Sequence, residues 1–299
     1  MNSAMEETQR IEQFLREALV SEKKHGYVIG VSGGLDSAVV LKLLVRAVGK
    51  ENVLGLILPD RDTEKKSTIL ARSLLEQEKV PYKVISMTPL LRHLGVYKDM
   101  PLFLLPTRGL KESIVRRFYN DYTKKLNKPV FFAQCEEPPT QLPYFYEGIA
   151  YYRIKHRVRM ATLYYYAEKN DYLLVGCTNL SERLIGFYVK YGDDVCDVAP
   201  IAHLYKTEVR QLGKQLQVPQ EILSRPPTPD LLPGITDEFS IGLTYEMLDK
   251  ILMALDEGAT DQQLKQDFPA QVIDLVLKQL KVVEQEQEEP LTLTRNDNT

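Results

Sequence analysis

Three cysteines are all that this chain of 299 residues contains, Cys135, Cys177 and Cys196, and no two of them form a C-x-x-C pair. Neither a disulfide framework nor a zinc site is indicated, and a reducing compartment fits. Charge of one sign is also missing. A formal net charge of -3 argues against non-specific binding to nucleic acid or to an anionic membrane as the main role. No apolar run reaches the roughly 18 to 20 residues that would span a bilayer. The start, Met-Asn-Ser-Ala-Met-Glu-Glu, has neither a basic segment nor an apolar core. The expectation is a soluble, unprocessed, cytoplasmic protein with no nucleic-acid or membrane partner. What is present, 44% hydrophobic and 26% charged residues, suits one large α/β domain or one domain with an embellishment.

The chain organises around Tyr27-Val-Ile-Gly-Val-Ser32-Gly33-Gly34-Leu-Asp36-Ser37. Tyr27 to Val31 have the β-branched run of a buried strand, and the residues from Asp36 form a helix until Gly49 stops it. The turn between them is almost free of side chains. Backbone N–H groups of Ser32, Gly33 and Gly34 can close around an anion at a helix start. A Walker loop is absent because no lysine follows the glycines, and G-x-G-x-x-G is absent too. Gly30-Val-Ser32-Gly-Gly34 does fit the nucleophile elbow G-x-S-x-G, which stays open along with a plain tight turn. An elbow in the first strand is an unusual place for one.

Apolar residues at Ile11, Phe14, Leu15, Ala18 and Leu19 predict an amphipathic helix from Ser3 to Lys24. Further strands are predicted at Val53 to Leu58, Tyr82 to Met87 and Tyr172 to Gly176, with helices near 67–78, 149–169 and 206–216. This rhythm is that of right-handed βαβ units and a doubly wound parallel sheet. The rhythm breaks at about 97–148, an aromatic and basic stretch expected to be an insertion, with Arg116, Arg117, Lys124 and Lys125 on a solvated helix face. Residues 244–283 read as a small helical end piece. Residues 1–283 are thus expected to form one domain, and 284–299 a disordered acidic tail.

Ligands in such a sheet gather at the carboxyl ends of the strands, where strand order reverses. Asp36 follows the first strand and Glu182 the fourth. Two carboxylates beside a phosphate cradle make sense if a magnesium ion bridges them, although Asp36 could also be a plain N-cap. Lys190, Asp193 and Lys206 add cations and a loop carboxylate. On the helix before the fourth strand, Arg153 lies above Arg157 and Lys155 above Arg159. One row could face a polyanion and the other solvent.

Ser32-Gly-Gly-Leu-Asp-Ser37 resembles the pyrophosphate loop of the N-type ATP pyrophosphatases, the PP-loop superfamily. A longer ordered set is similar to the ammonia-dependent NAD synthetases. It comprises Arg157-Val-Arg159-Met160, Glu182, Gly186-Phe187, Lys190-Tyr-Gly-Asp193, Pro200, Leu204, Lys206-Thr, Pro227-Thr228-x-Asp230-Leu, Asp237-Glu238 and Gly242-x-x-Tyr245-x-x-x-Asp249. The resemblance covers about residues 8 to 255, interrupted by the insertion. It implies a Rossmann-like fold of the adenine nucleotide alpha hydrolase type and a carbon–nitrogen ligase. Such an enzyme converts deamido-NAD, ATP and ammonia to NAD, AMP and pyrophosphate through an acyl-adenylate. Ser32, Gly33, Gly34, Asp36 and Ser37 would then hold the pyrophosphate, with Arg157, Arg159 and Thr228 also on ATP. Asp36 and Glu182 would hold Mg2+, and Asp36, Lys190 and Lys206 would be catalytic. Phe187, Lys190 and Asp193 would face the acceptor. The family usually has Asn, Ala, Thr, Thr and Gly where this chain has Arg153, His156, Cys177, Val189 and Asp194. A PP-loop enzyme that adenylates a different carboxylic acid is therefore the alternative. A homodimer is implied as well. With only 26 residues before the first strand, too few for a glutaminase domain, ammonia is expected free or from a separate protein.

Overall fold

The computed structural model describes residues 2–100, 102–134, 142 and 144–285. Helix and strand alternate first, as α1 (Asn2–Glu22), β1 (Tyr27–Gly30), α2 (Leu35–Val48), β2 (Val53–Ile57), α3 (Lys65–Gln77) and β3 (Tyr82–Val84). Among the described residues four helices then intervene, α4 (Thr88–His93), α5 (Val96–Asp99), α6 (Arg108–Leu126) and α7 (Val130–Gln134). The long α8 (Phe145–Asn170) leads back into β4 (Leu173–Val175). Beyond it come α9 (Leu180–Ile185), α10 (Lys206–Gln215), α11 (Gln220–Leu223), α12 (Asp237–Ile241), α13 (Tyr245–Asp256), α14 (Asp261–Asp267) and α15 (Ala270–Gln285).

The strands form one wholly parallel sheet in the order β3-β2-β1-β4. Tyr27 stands opposite Val53 on one side and Leu173 on the other. β1, β2 and β4 are buried on both faces by the crossover helices, as expected within an all-parallel sheet, while the edge strand β3 is half-buried to exposed. Alternation along β1 sorts the side chains: Tyr27 and Ile29 pack with Leu15, Leu41, Leu75 and Val209 on one face. Val28 packs with Leu56, Leu91, Tyr151 and Leu174 on the other. A third core, including Phe132, Ile185, Tyr245, Leu248 and Ile273, joins α7 and α9 to the helices of the C-terminal end. A fourth and smaller one gathers Leu102, Val115 and Ile235.

The expected α/β architecture is the one observed, and three features add to it. A parallel bridge from Val175 to Val198 carries the sheet one step past β4. The fold of 97–148 is helical over its described part, and α15 continues through residues 284 and 285, where a tail was expected. The remainder of that acidic segment, 286–299, lies outside the described residues.

Candidate active site

Chain order 3-2-1-4 reverses between β1 and β4, and the loops leaving those two strands line a cavity of about 270 Å3. After β1 the chain turns sharply through Gly33, whose φ is +80°, and a Cβ there would sit 2.3 Å from the Ser67 carbonyl oxygen. Only glycine fits such a turn. Gly34 starts α2 with no side-chain cap, so the helix presents backbone donors toward the cavity. Ser32 Oγ is 3.1 Å from Ser37 Oγ and accepts from Gly34 N at 3.2 Å. The elbow reading would instead have Ser32 face an imidazole.

Across the switch point, α9 opens with a reciprocal cap: Asn179 Oδ1 accepts from Glu182 N at 3.1 Å, and Glu182 Oε2 accepts from Asn179 N at 3.3 Å. That cap fixes two side chains against α2. Asn179 Nδ2 donates to Asp36 Oδ1 at 3.1 Å. Lys206, the first residue of α10 and 2% exposed, donates from Nζ to Asp36 Oδ2 at 2.7 Å and to Glu182 Oε1 at 3.0 Å. Tyr245 OH donates to Glu182 Oε1 at 3.2 Å and to Asp237 Oδ2 at 3.1 Å. Asp237 Oδ1 is buried without a hydrogen-bond partner.

Crowding sets the protonation of this group. Burial pushes the Glu182 carboxyl up to about 7, with Asp36 and Asp237 adding to the effect and Lys206 opposing it. Burial likewise raises Asp237 to about 6. For Lys206 burial alone would act downward, but Asp36, Glu182 and Asp237 outweigh it and hold the ammonium above the ordinary lysine value. Burial lowers His156, whose Nδ1 is 3.6 Å from Asp193 Oδ1.

The third wall comes from the loop after β2. Arg159 donates from Nε to Leu58 O at 3.0 Å, and its Nη2 lies 3.9 Å from Asp60 Oδ1. Lys155, expected in a row facing polyanion or solvent, is instead fully buried. Its Nζ donates to Asp62 Oδ2 at 2.7 Å and to Leu231 O at 2.8 Å, and lies 2.9 Å from Asp60 Oδ2. The i, i+4 spacing places Lys155 above Arg159 on α8, and both partner carboxylates of Lys155 come from the loop after β2, Asp62 lying 93 residues away. Asp230 accepts from Glu64 N at 2.9 Å and from Ser67 Oγ at 2.6 Å, which ties the proline-rich segment to α3.

Ser32, Gly34, Asp36, Ser37 and Arg159 line the cavity, as do Glu182, Phe187, Asp193, Lys206 and Thr228. Gly33 backs against α3. Arg157 and Lys190 stand outside the wall and meet each other, Arg157 Nε donating to Lys190 O at 3.1 Å. Asn179 was not among the expected site residues, although N-x-x-E before an apolar run is a legible helix start. Asp237 and Tyr245 belonged to the ordered motif set but had no role assigned.

A parallel α/β sheet with a glycine loop at its switch point, closed by a lysine between two carboxylates, defines a nucleotide-binding protein of the PP-loop fold. The family model described as NAD synthase matches residues 7–102 and 122–290. The NH(3)-dependent NAD(+) synthetase of Coprothermobacter proteolyticus is 83% identical over 295 residues, which cover 99% of this chain and 100% of that protein. That of Thermotoga maritima is 44% identical over 283 residues, covering 94% and 97%. The solved NMN synthetase of Francisella tularensis superposes with a TM-score of 0.69 at 25% identity, over 98% of each chain. This chain belongs to the NAD synthase family.

Proposed function

We infer that the protein is an ammonia-dependent ligase that converts deamido-NAD, ATP and ammonia to NAD, AMP and pyrophosphate. The observation that carries the chemistry is the Lys206 ammonium held between Asp36 and Glu182 beside the glycine loop. The acceptor is supported by the two relatives at 83% and 44% identity, which share one name.

The nicotinate carboxylate attacks the α-phosphorus of ATP, and the bond from that phosphorus to the bridging oxygen of pyrophosphate breaks. Ammonia then adds to the acyl carbon, the bond to the AMP oxygen breaks, and the added nitrogen loses a proton. No covalent enzyme intermediate is needed. In this reading the uncapped start of α2 and the amides of Ser32, Gly33 and Gly34 receive the departing pyrophosphate, Ser32 N and Gly34 N exchanging their Ser37 Oγ and Ser32 Oγ partners for it. Ser37 adds a hydroxyl, Lys206 supplies a fixed cation, and Arg159 and Thr228, whose hydroxyl is held by Ile235 O, lie on the nucleotide side. Arg157 acts from behind the wall by holding the Lys190 carbonyl, and Lys190 is the proposed catalytic cation of that loop. Phe187, edge-on to Phe131 at 5.0 Å between centroids, offers an aromatic surface for a flat pyridine ring. Asp193 faces the acceptor from the same side.

Magnesium fits the residues present. Asp36 and Glu182 are hard oxygen donors that share a cation already, and Mg2+ takes only one or two carboxylates together with substrate phosphates. A larger cage is not needed, and among the described residues no group of three His, Cys, Asp or Glu forms one. When bound, the ion neutralises charge on the leaving pyrophosphate. We place the enzyme in the cytoplasm; no described helix is long and apolar enough to cross a membrane. We propose a homodimer, for which α1 leaves Phe14 46% and Val20 80% exposed. Ammonia arrives free or from a separate protein.

The test is to follow AMP and pyrophosphate with ATP, magnesium and ammonium, offering deamido-NAD, nicotinate mononucleotide or other carboxylic acids in turn. Release with deamido-NAD is expected. Preference for nicotinate mononucleotide or another acid would replace the acceptor, and no release with any of them would remove the ligase reading.

A further inference from the structure

The family match omits residues 103–121, which include most of α6. This helix lies against residues 226–236, a stretch of the cavity wall with no regular secondary structure. A segment of that length loses much conformational entropy when it is fixed, even with Pro226, Pro227, Pro229 and Pro233 stiffening it. Its inner side is tied to the cavity by Thr228 and Asp230. Its outer side is tied to α6.

Five contacts tie α6 to the segment and to α12 directly after it. Arg116 Nε donates to Gly234 O at 2.7 Å, and its guanidinium lies over the Phe239 ring at 5.3 Å. Tyr119 OH is 2.6 Å from Ser240 Oγ, and its ring is 5.5 Å from that of Phe239. Val115 packs on Ile235. Gly234 allows the approach, since a Cβ there would come within 2.9 Å of Glu112 Cβ at a φ of +78°. Ile235 then passes the constraint inward, because its carbonyl accepts from Thr228 Oγ1 at 3.0 Å. Asp237 N closes the segment on Pro227 O at 3.0 Å.

We propose that α6 is a brace that holds residues 226–237 in their nucleotide-facing conformation, with Arg116 and Tyr119 as positioning residues for ATP. The proposal rests on the functional reading above for its ligand, and on the contacts alone for the brace. Neither side chain lines the cavity: Arg116 acts through Gly234, and Tyr119 through Phe239 and Ser240 of α12, whose Asp237 N holds the segment on Pro227 O. Arg116, expected on a solvated helix face, has an exposed side chain with one fixed backbone partner. Loosening the segment leaves the reacting groups on α2, α9 and α10 untouched and raises the cost of ordering Thr228 around the nucleotide. The change belongs in KM rather than in kcat.

The test compares Arg116→Ala/Tyr119→Phe with wild type and with Arg117→Ala, an exposed position on the same helix. The double variant should raise KM for ATP about tenfold and keep kcat within about twofold. Backbone amides of 230–237 should exchange faster while those of β1 and α2 do not. Arg117→Ala should match wild type, and Arg116→Lys should recover part of the KM. Unchanged KM and exchange overturn the brace, as does faster exchange throughout the sheet with kcat falling alongside. A wild-type protein that releases no pyrophosphate would remove the ligase reading instead, and the exchange measurement still decides the brace.

Discussion

Lys206 Nζ lies 2.7 Å from Asp36 Oδ2, although 170 residues separate the two in sequence. One ammonium at the start of α10 thereby joins the glycine loop after β1 to Glu182 after β4. Removing it leaves three carboxylates facing one another in a buried space.

Lys206→Met should therefore lose both activity and stability. Pyrophosphate release should fall about a hundred- to a thousandfold. Breaking a buried pair from one side costs about 3–5 kcal/mol. Chemical unfolding at pH 8 reads the second effect, and a stability equal to wild type would show that the ammonium is not the partner of these carboxylates.

Asp237 gives a pH dependence with a fixed sign. Its carboxyl is raised in the fold, so the folded state binds the proton more tightly than the unfolded chain does. The stability it contributes is complete below the ordinary value of 3.8 and is lost as pH rises to about 6. Asp237→Asn should flatten that part of the wild-type profile. Denaturant midpoints from pH 3.5 to 7 check it, and profiles that run parallel would refute it.

Gly33→Ala should damage the cradle more than the fold. The φ of +80° costs about 1 kcal/mol or more for alanine, and the new methyl meets the Ser67 carbonyl. Either Gly33 or α3 must move. We expect a Tm lower by several degrees and ATP affinity reduced at least about tenfold, read by calorimetry. Unchanged nucleotide binding would remove the loop from the site.

Lys155→Ala tests the buried cluster under the β2 loop. Asp60 and Asp62 would be left without their ammonium, at about 3–5 kcal/mol. Because Lys155 also holds Leu231 O, amide exchange should quicken at both 59–63 and 230–232. Quickening at neither segment would show that the cluster does not couple them.

Most of the sheet was legible because each strand is a short apolar run closed by turn residues. The apolar run predicts a strand as far as Met87, but β3 ends at Val84. The chain there continues alongside β2, with Ile85 N donating to Ile57 O at 2.9 Å and Met87 N to Pro59 O at 2.8 Å. The apolar pattern tracked that burial past the end of the regular ladder. Asp36 and Glu182 were legible as carboxylates at two strand ends, since topology alone brings such positions together. The partners of Lys155 and Arg116 were not. Each depends on which loop folds over which helix face, a property of pairs 93 and 118 residues apart rather than of any local period.

The strand order carries a consequence for how the protein is made. β1 lies between β2 and β4, yet β4 is synthesised roughly 145 residues after it. A nascent chain that has emerged only as far as α8 therefore holds a sheet whose central strand is an open edge, with its donors and acceptors unpaired. The glycine loop leaves from that edge. While translation runs through α6 and α8, the future nucleotide site therefore hangs from a strand open to mispairing with another.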